Sequence, residues 1–199
     1  MPQASARPGV LRRKLLRTAL CAALLAAIAG CGHGREYTVP DSLCGTRTDP
    51  DLLGALLPRE TGVHVSHPVS REEGREKGSV CSVSVKEDED ASSYSPAVRV
   101  QWDIVPGDRS AEDLMKVKDG RARAYGNPRE SGLGDLSLLA DHGLVVVASC
   151  PGEGNGVSLV LDVEVSTDTP EDVDERRTTI ERFGRQQLKS ILREQGCTG

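Results

Sequence analysis

The chain has 199 residues and a formal net charge of −5, enough for one domain or two small ones. Residues 1–30 hold five basic residues (Arg7, Arg12, Arg13, Lys14, Arg17) and no acidic one, which leaves 20 basic and 30 acidic residues, a net of −10, in 31–199. So acidic a body is repelled by phosphate backbones and by anionic lipid, which argues against nucleic acid, and one Phe, one Trp and three Tyr offer few stacking platforms for bases or sugars.

The N-terminus reads as an address. Arg12, Arg13, Lys14 and Arg17 precede the apolar run from Thr18 to Gly30. That run is shorter than the roughly 20 residues of a spanning helix and fits the h-region of a signal peptide. It ends in Ile28-Ala29-Gly30-Cys31, which has the form of a bacterial lipobox. Small residues before the cysteine admit a narrow protease site, and the Cys31 thiol can take a diacylglyceryl group. Cleavage before Cys31 then frees an amine for a further acyl chain, enough for a stable anchor. Arg12-Arg13-Lys14-Leu15-Leu16 also suits twin-arginine export, and general export remains open. The expected organisation is a lipoprotein signal peptide over 1–30, a lipid-anchored tether over 31–43 and one extracytoplasmic domain over 44–199. The expected location is the outer face of the cytoplasmic membrane.

Cysteine use follows from that compartment. Cys21 leaves with the signal peptide and Cys31 takes lipid, so Cys44, Cys81, Cys150 and Cys197 remain. An even number in an exported domain implies two disulfides, and no C-x-x-C spacing points to metal. Of three possible connectivities we favour Cys44–Cys81 with Cys150–Cys197, because each pair staples a contiguous half.

Along the body, Asp49-Pro50-Asp51 starts a short helix with Leu52, Leu53, Leu56 and Leu57, stopped by Pro58. A strand is expected near 62–69, a charged surface loop over Arg71–Gly78, and an alternating strand over Val80–Lys86. Ala97–Val105 carries the clearest alternation, with Val98, Val100, Trp102 and Ile104 on one side and Arg99, Gln101 and Asp103 on the other. Ser110-x-x-Asp113 opens a helix to about Tyr125, with Leu114, Met115, Val117 and Ala122 inward, and Gly126-Asn127-Pro128 ends it. Asp135–Ala140 and Leu144–Cys150 flank a hairpin turn at Asp141-His142-Gly143, and Val157–Ser166 alternates again. A long helix runs from Thr169-Pro170 to Gln195, with Val173, Ile180, Phe183, Leu188, Ile191 and Leu192 as its apolar stripe and Gly196 as its stop. Six strands and three helices predict an α+β domain: an antiparallel sheet with one face covered by helices.

Candidate chemistry is sparse. Glu87–Asp90 lacks the alternating ligands and central glycine of a calcium loop and reads as a solvated turn. His64 and His67 point to opposite faces of a strand, and His142 sits in a turn. Pro151–Gly156 lacks the Gly-Lys-Ser/Thr ending of a phosphate loop, and no hydrolase elbow or His-Glu-x-x-His occurs. No metal site and no cofactor is expected. Lys116, Lys118, Arg121, Arg123 and Arg129 form a basic cluster in an acidic body. It is either a solvated helix face with local ion pairs or a patch for an anionic ligand or partner.

A lipobox, Cys44 beside a Leu-Leu helix, Cys81, Ser131-Gly132-Leu133-Gly134-Asp135 before a strand hairpin, and a Cys-bearing final helix together resemble a family of uncharacterised actinobacterial lipoproteins. Arg outnumbers Lys 19 to 6, which suits a GC-rich genome of that group. Ser82-Val83 departs from the Ser/Thr-Trp that often follows that family's cysteine. The resemblance implies a compact α+β sandwich similar to PsbP-like domains, with no assigned activity. The expected role is therefore non-enzymatic: a module at the cell envelope that binds a small ligand, a polymer or another envelope protein. The alternative is a cell-envelope hydrolase.

Overall fold

Alternating apolar residues build one antiparallel sheet, described here in a computed structural model for residues 37–59, 62–66, 69–73, 76–86, 92–107, 109–150 and 156–197. The lipobox with Cys31, His67, the Glu87–Asp90 turn and the loop 151–155 lie outside the described residues. Arg35–Gly199 forms one compact unit.

A two-residue hairpin opens the unit, β1 (Ser42–Leu43) and β2 (Thr46–Arg47), followed by the short helix α1 (Pro50–Gly54). The main sheet has eight strands: β3 (Val63–Val65), β4 (Val69–Glu73), β5 (Glu76–Lys86), β6 (Tyr94–Pro106), β7 (Arg129–Glu130), β8 (Leu136–Ala140), β9 (Gly143–Cys150) and β10 (Val157–Val165). Their order is β3-β5-β6-β10-β9-β8-β7, with β4 sharing the outer edge of β5 with β3. Helix α2 (Ala111–Ala124) carries the chain from β6 to the far edge, from which β7 to β10 step back until β10 pairs with β6. Helix α3 (Val173–Glu194) closes the domain.

Both faces of the sheet are covered, where one was expected. On the first face, Val83, Val98, Val100, Leu144, Val146, Leu159, Leu161 and Val163 meet Ile180, Phe183, Leu188 and Ile191 of α3 and Leu53, Leu56 and Leu57. On the second, Ala122 and Tyr125 pack on Ala140 and Val145, and Leu114 on Val147 and Val160. Residues 143–148 of β9 are therefore buried throughout. Among the described residues α2 covers the second face; towards β5 that face carries Arg99, Gln101 and Asp103 of β6 and Val80, Ser82 and Ser84 of β5, all half-buried.

Local signals place most element ends. Asp49 caps α1 by accepting from the amides of Asp51 and Leu52, and Ser110 caps α2 by accepting from Asp113. At the end of α3, Cys197 N–H donates to Leu192 C=O and Gly196 N–H to Arg193 C=O, with Gly196 at φ +73°: a Schellman closure. Four expectations need correction. Helix α3 starts at Val173 under an Asp172 cap that accepts from Glu175 N–H; Thr169-Pro170, a cis peptide, lies in the approach to it. Val173 is 39% exposed, and the buried polar Gln187 belongs to the inward stripe. Val117, expected inward, is 72% exposed. Residues 71–73 and 76–78 contribute to the β4–β5 ladder, with Arg71 opposite Gly78, where a loop was expected over Arg71–Gly78.

The disulfides are Cys44–Cys81 and Cys150–Cys197, the favoured pairing. The first ties the β1–β2 hairpin to β5; the second ties the end of β9 to the last residue of the α3 closure.

Candidate functional site

The polar second face is set by period-2 alternation. With Val98, Val100 and Trp102 turned to the core, Arg99, Gln101 and Asp103 stand on the other side of β6. Register places Arg99 opposite Glu164 and Gln101 opposite Asp162 of β10. Arg99 donates to Gln101 Oε1 at 3.1 Å, Gln101 Nε2 donates to Asp103 at 2.9 Å, and Arg99 pairs with Glu164 at 3.6 Å.

Helix α2 lies beside this row and reaches into it. Tyr125 donates its hydroxyl to Asp162 Oδ1 at 2.6 Å, and Arg121 Nε–H donates to that same hydroxyl at 2.8 Å. Arg121 Nε also stands 3.1 Å from Asp162 Oδ2, but its one proton is directed to Tyr125, so Oδ2 has charge beside it and no aligned hydrogen bond. Lys118 Nζ approaches Oδ2 at 4.0 Å, and Arg121 reaches Glu164 at 3.9 Å.

Burial pushes the Asp162 carboxyl above its ordinary value; the Tyr125 hydrogen bond and the charges of Arg121, Lys118 and Arg99 pull it down without cancelling the desolvation. The pair is lopsided because the Arg121 side chain is 34% exposed and keeps water, while Asp162, 4% exposed, gives up nearly all of its own. Burial, then Asp162, drives the Tyr125 phenol well above its usual range, so it stays a donor. A carboxyl so perturbed is a common mark of acid–base sites, but this one meets α2 rather than solvent.

The expected basic cluster therefore divides. Lys118 and Arg121 turn towards the sheet and are neutralised by Asp162 and Glu164. Lys116 and Arg123 point outward, each paired along the helix, with Asp113 at 3.1 Å and Asp119 at 2.7 Å. Arg129 is exposed on β7. The geometry is that of a helix face laced with ion pairs. His142 lies 3.7 Å from Asp168 and His64 is exposed on β3, 5.5 Å from the Tyr94 ring. Among the described residues no three His, Cys, Asp or Glu side chains gather with metal-holding geometry.

A second cationic surface lies on the opposite side of the sheet. Arg182, Arg185, Lys189 and Arg193 are all exposed and recur at three, four and four residues on the outer face of α3. Residues 182–193 contain these four cations and no acid. Arg185 pairs with Glu181 at 3.0 Å; the other three have no ion pair among the described residues. Their spacing was legible in the sequence but was hidden by the acidic average of the body.

Beside this stripe is a shallow groove of about 280 Å³, lined by Gly132, Leu133, Gly134, Arg185, Leu188, Lys189 and Leu192. The Gly132–Asp135 segment forms its wall for a steric reason. Gly134 has φ +61°, and a Cβ there would lie 2.6 Å from Val147 O. This close approach lets Asp135 N–H donate to Val147 O at 2.9 Å, while Asp135 Oδ2 accepts from both the amide and the hydroxyl of Ser149 at 2.6 Å.

No family model, curated protein or solved structure matches the chain.

Proposed function

We propose that this is a lipid-anchored extracytoplasmic protein, of the actinobacterial lipoprotein kind its motifs resemble, whose single domain binds a ligand, polymer or protein at the cell envelope. The observation that carries the reading is Ile28-Ala29-Gly30-Cys31 behind a basic n-region and ahead of a domain closed by two disulfides. Disulfides persist in oxidising compartments, and a lipidated cysteine eleven residues before β1 would hold the domain within about 40 Å of its membrane.

The experiment is metabolic labelling with an alkyne fatty acid. The wild-type chain should be labelled at Cys31 and processed before it; Cys31→Ser should be unprocessed and unlabelled. Undiminished labelling of that variant would sink the reading. Native mass spectrometry of the protein from its own cells then reads the binding role, through a co-purifying ligand or partner.

The second reading is a cell-envelope hydrolase, and one observation favours it: the raised Asp162 carboxyl beside a phenol and a guanidinium. Hydrolysis of envelope material that Asp162→Asn abolishes, with the fold intact, would replace the binding reading.

A further inference from the structure

We infer that the outer face of α3 docks on an anionic phospholipid bilayer, the one the chain is anchored to; the inference rests on the lipid-anchor reading. Two observations converge on it. The first is charge. Average composition predicts repulsion from anionic lipid, yet the fold sorts four cations onto one helix face, and Arg182, Lys189 and Arg193 have no acidic partner among the described residues.

The second is position. Gln186 Nε2 and Ser190 Oγ both donate to Arg47 C=O, at 2.6 and 3.1 Å, and Arg47 stands opposite Ser42 in the β1–β2 hairpin. Among the described residues the chain first meets the domain at Tyr37, whose hydroxyl donates to Pro58 C=O, and reaches the hairpin strand beside the stripe five residues later, at Ser42. Six positions separate Cys31 from Tyr37, a reach of at most about 22 Å, so an anchor at Cys31 would hold this end of the domain close to the headgroups. The exposed Arg47 adds a further cation at the junction.

Of the leucines lining the groove, Leu133 and Leu188 are almost wholly buried and Leu192 is half-buried. Little apolar surface is offered, so attraction comes from charge: each cation close to an anionic leaflet contributes about fivefold in affinity, and salt removes it within a Debye length. The cations are carried on a helix packed on the core, so docking orders little but their own side chains.

The test uses the lipidated full chain in vesicles of phosphatidylcholine, alone or mixed with phosphatidylglycerol, and measures amine acylation of each lysine by peptide mass spectrometry. Lys116 is the internal reference: it lies on α2, across the sheet, and its side chain is 76% exposed. In phosphatidylglycerol vesicles Lys189 should react at least about fivefold more slowly than in phosphatidylcholine, with Lys116 unchanged and the protection lost in high salt. Arg182→Glu with Arg193→Glu, both at exposed positions, should keep the circular dichroism spectrum and lose the protection. Equal Lys189 reactivity in both vesicles, with the protein floating on both, overturns the docking and leaves the anchor standing. A chain that floats with neither overturns the anchor and the docking with it. Protection by soluble polyphosphate but not by phosphatidylglycerol overturns it in favour of a polymer ligand.

Discussion

The hydroxyl of Tyr125 donates to Asp162 Oδ1 at 2.6 Å, joining the end of α2 to the middle of β10 across 37 residues of chain. It joins the ion pairs of Lys118 and Arg121 with Asp162 and Glu164 in pinning a helix whose apolar contact with the sheet is small. Tyr125→Phe keeps the ring and leaves a buried carboxylate oxygen without its donor. The expected loss is about 2 kcal/mol, read as a lower urea midpoint at unchanged slope.

Asp162 also gives stability a pH dependence. Its folded pKa is raised, so its contribution is full below the unfolded value near 3.8 and is lost as pH rises through the folded value. Asp162→Asn lacks that decline. The melting temperature of the variant minus that of wild type should therefore grow more positive as pH rises from about 4, whatever its offset at one pH. A flat difference would mean that Asp162 is not the group responsible. Asp141 works in the opposite sense. Burial opposes its charge, but the amide and side chain of Asn127 and the guanidinium of Arg177 outweigh it and lower the pKa, so that stability is lost as pH falls through the folded value.

Charge reversals on α2 should split by direction. Arg121→Glu places a second anion beside buried Asp162 and should cost roughly 2 kcal/mol, a buried-pair loss discounted because Arg121 is partly exposed. Arg123→Glu, on the outward side, should leave the melting temperature nearly where it is. Thermal scans of the two variants check this, and equal effects would contradict the division of the cluster.

The disulfides close loops with sequence separations of 37 and 47. Removing either pair by double Cys→Ser substitution should cost about 4 kcal/mol in the chain-entropy account. Guanidinium unfolding reads the loss, and non-reducing peptide maps should show Cys44–Cys81 and Cys150–Cys197 peptides alone.

Within the Gly-Leu-Gly-Asp segment the two glycines should differ. Gly132 has φ +69° and open space around a new Cβ, so Gly132→Ala should cost only the left-handed backbone penalty of about 1 kcal/mol. Gly134→Ala meets Val147 O at 2.6 Å and Val146 Cγ1 at 2.8 Å, and should cost clearly more by loosening the segment from β9. Equilibrium unfolding of both variants makes the comparison.

What was legible in the sequence follows what each element buries. Val98, Val100 and Trp102 alternate because one side of β6 faces the core, and β6 was readable. The ladder at residues 71–73 and 76–78 is not legible because ladder hydrogen bonds ask nothing of the side chains, so the charged run carries no period-2 signal. Continuous burial hid the second covered face: β9 reads as an unbroken apolar run, and such a run does not say what lies on either side. The basic cluster was visible as composition, but Asp162 lies about forty residues away in sequence, so its capture of Lys118 and Arg121 needed the β6–β10 register. Arg176, 2% exposed and donating to the carbonyls of Asp141 and Pro170, carries no signal in the sequence for the same reason.

The Cys44–Cys81 bond also decides how the domain bears a pull on its N-terminal side. The β1–β2 hairpin pairs two residues with two and would peel open under a small force. Tension arriving ahead of Ser42 is first borne by Tyr37, hydrogen-bonded to Pro58 and packed on the core with Val39; once those contacts give way it stops at Cys44 and passes through Cys81 into β5, a strand held by β6 on one side and by β3 and β4 on the other. A pull on the N-terminal side is thus carried by the sheet, and the folded body can be dragged without being unravelled from that side.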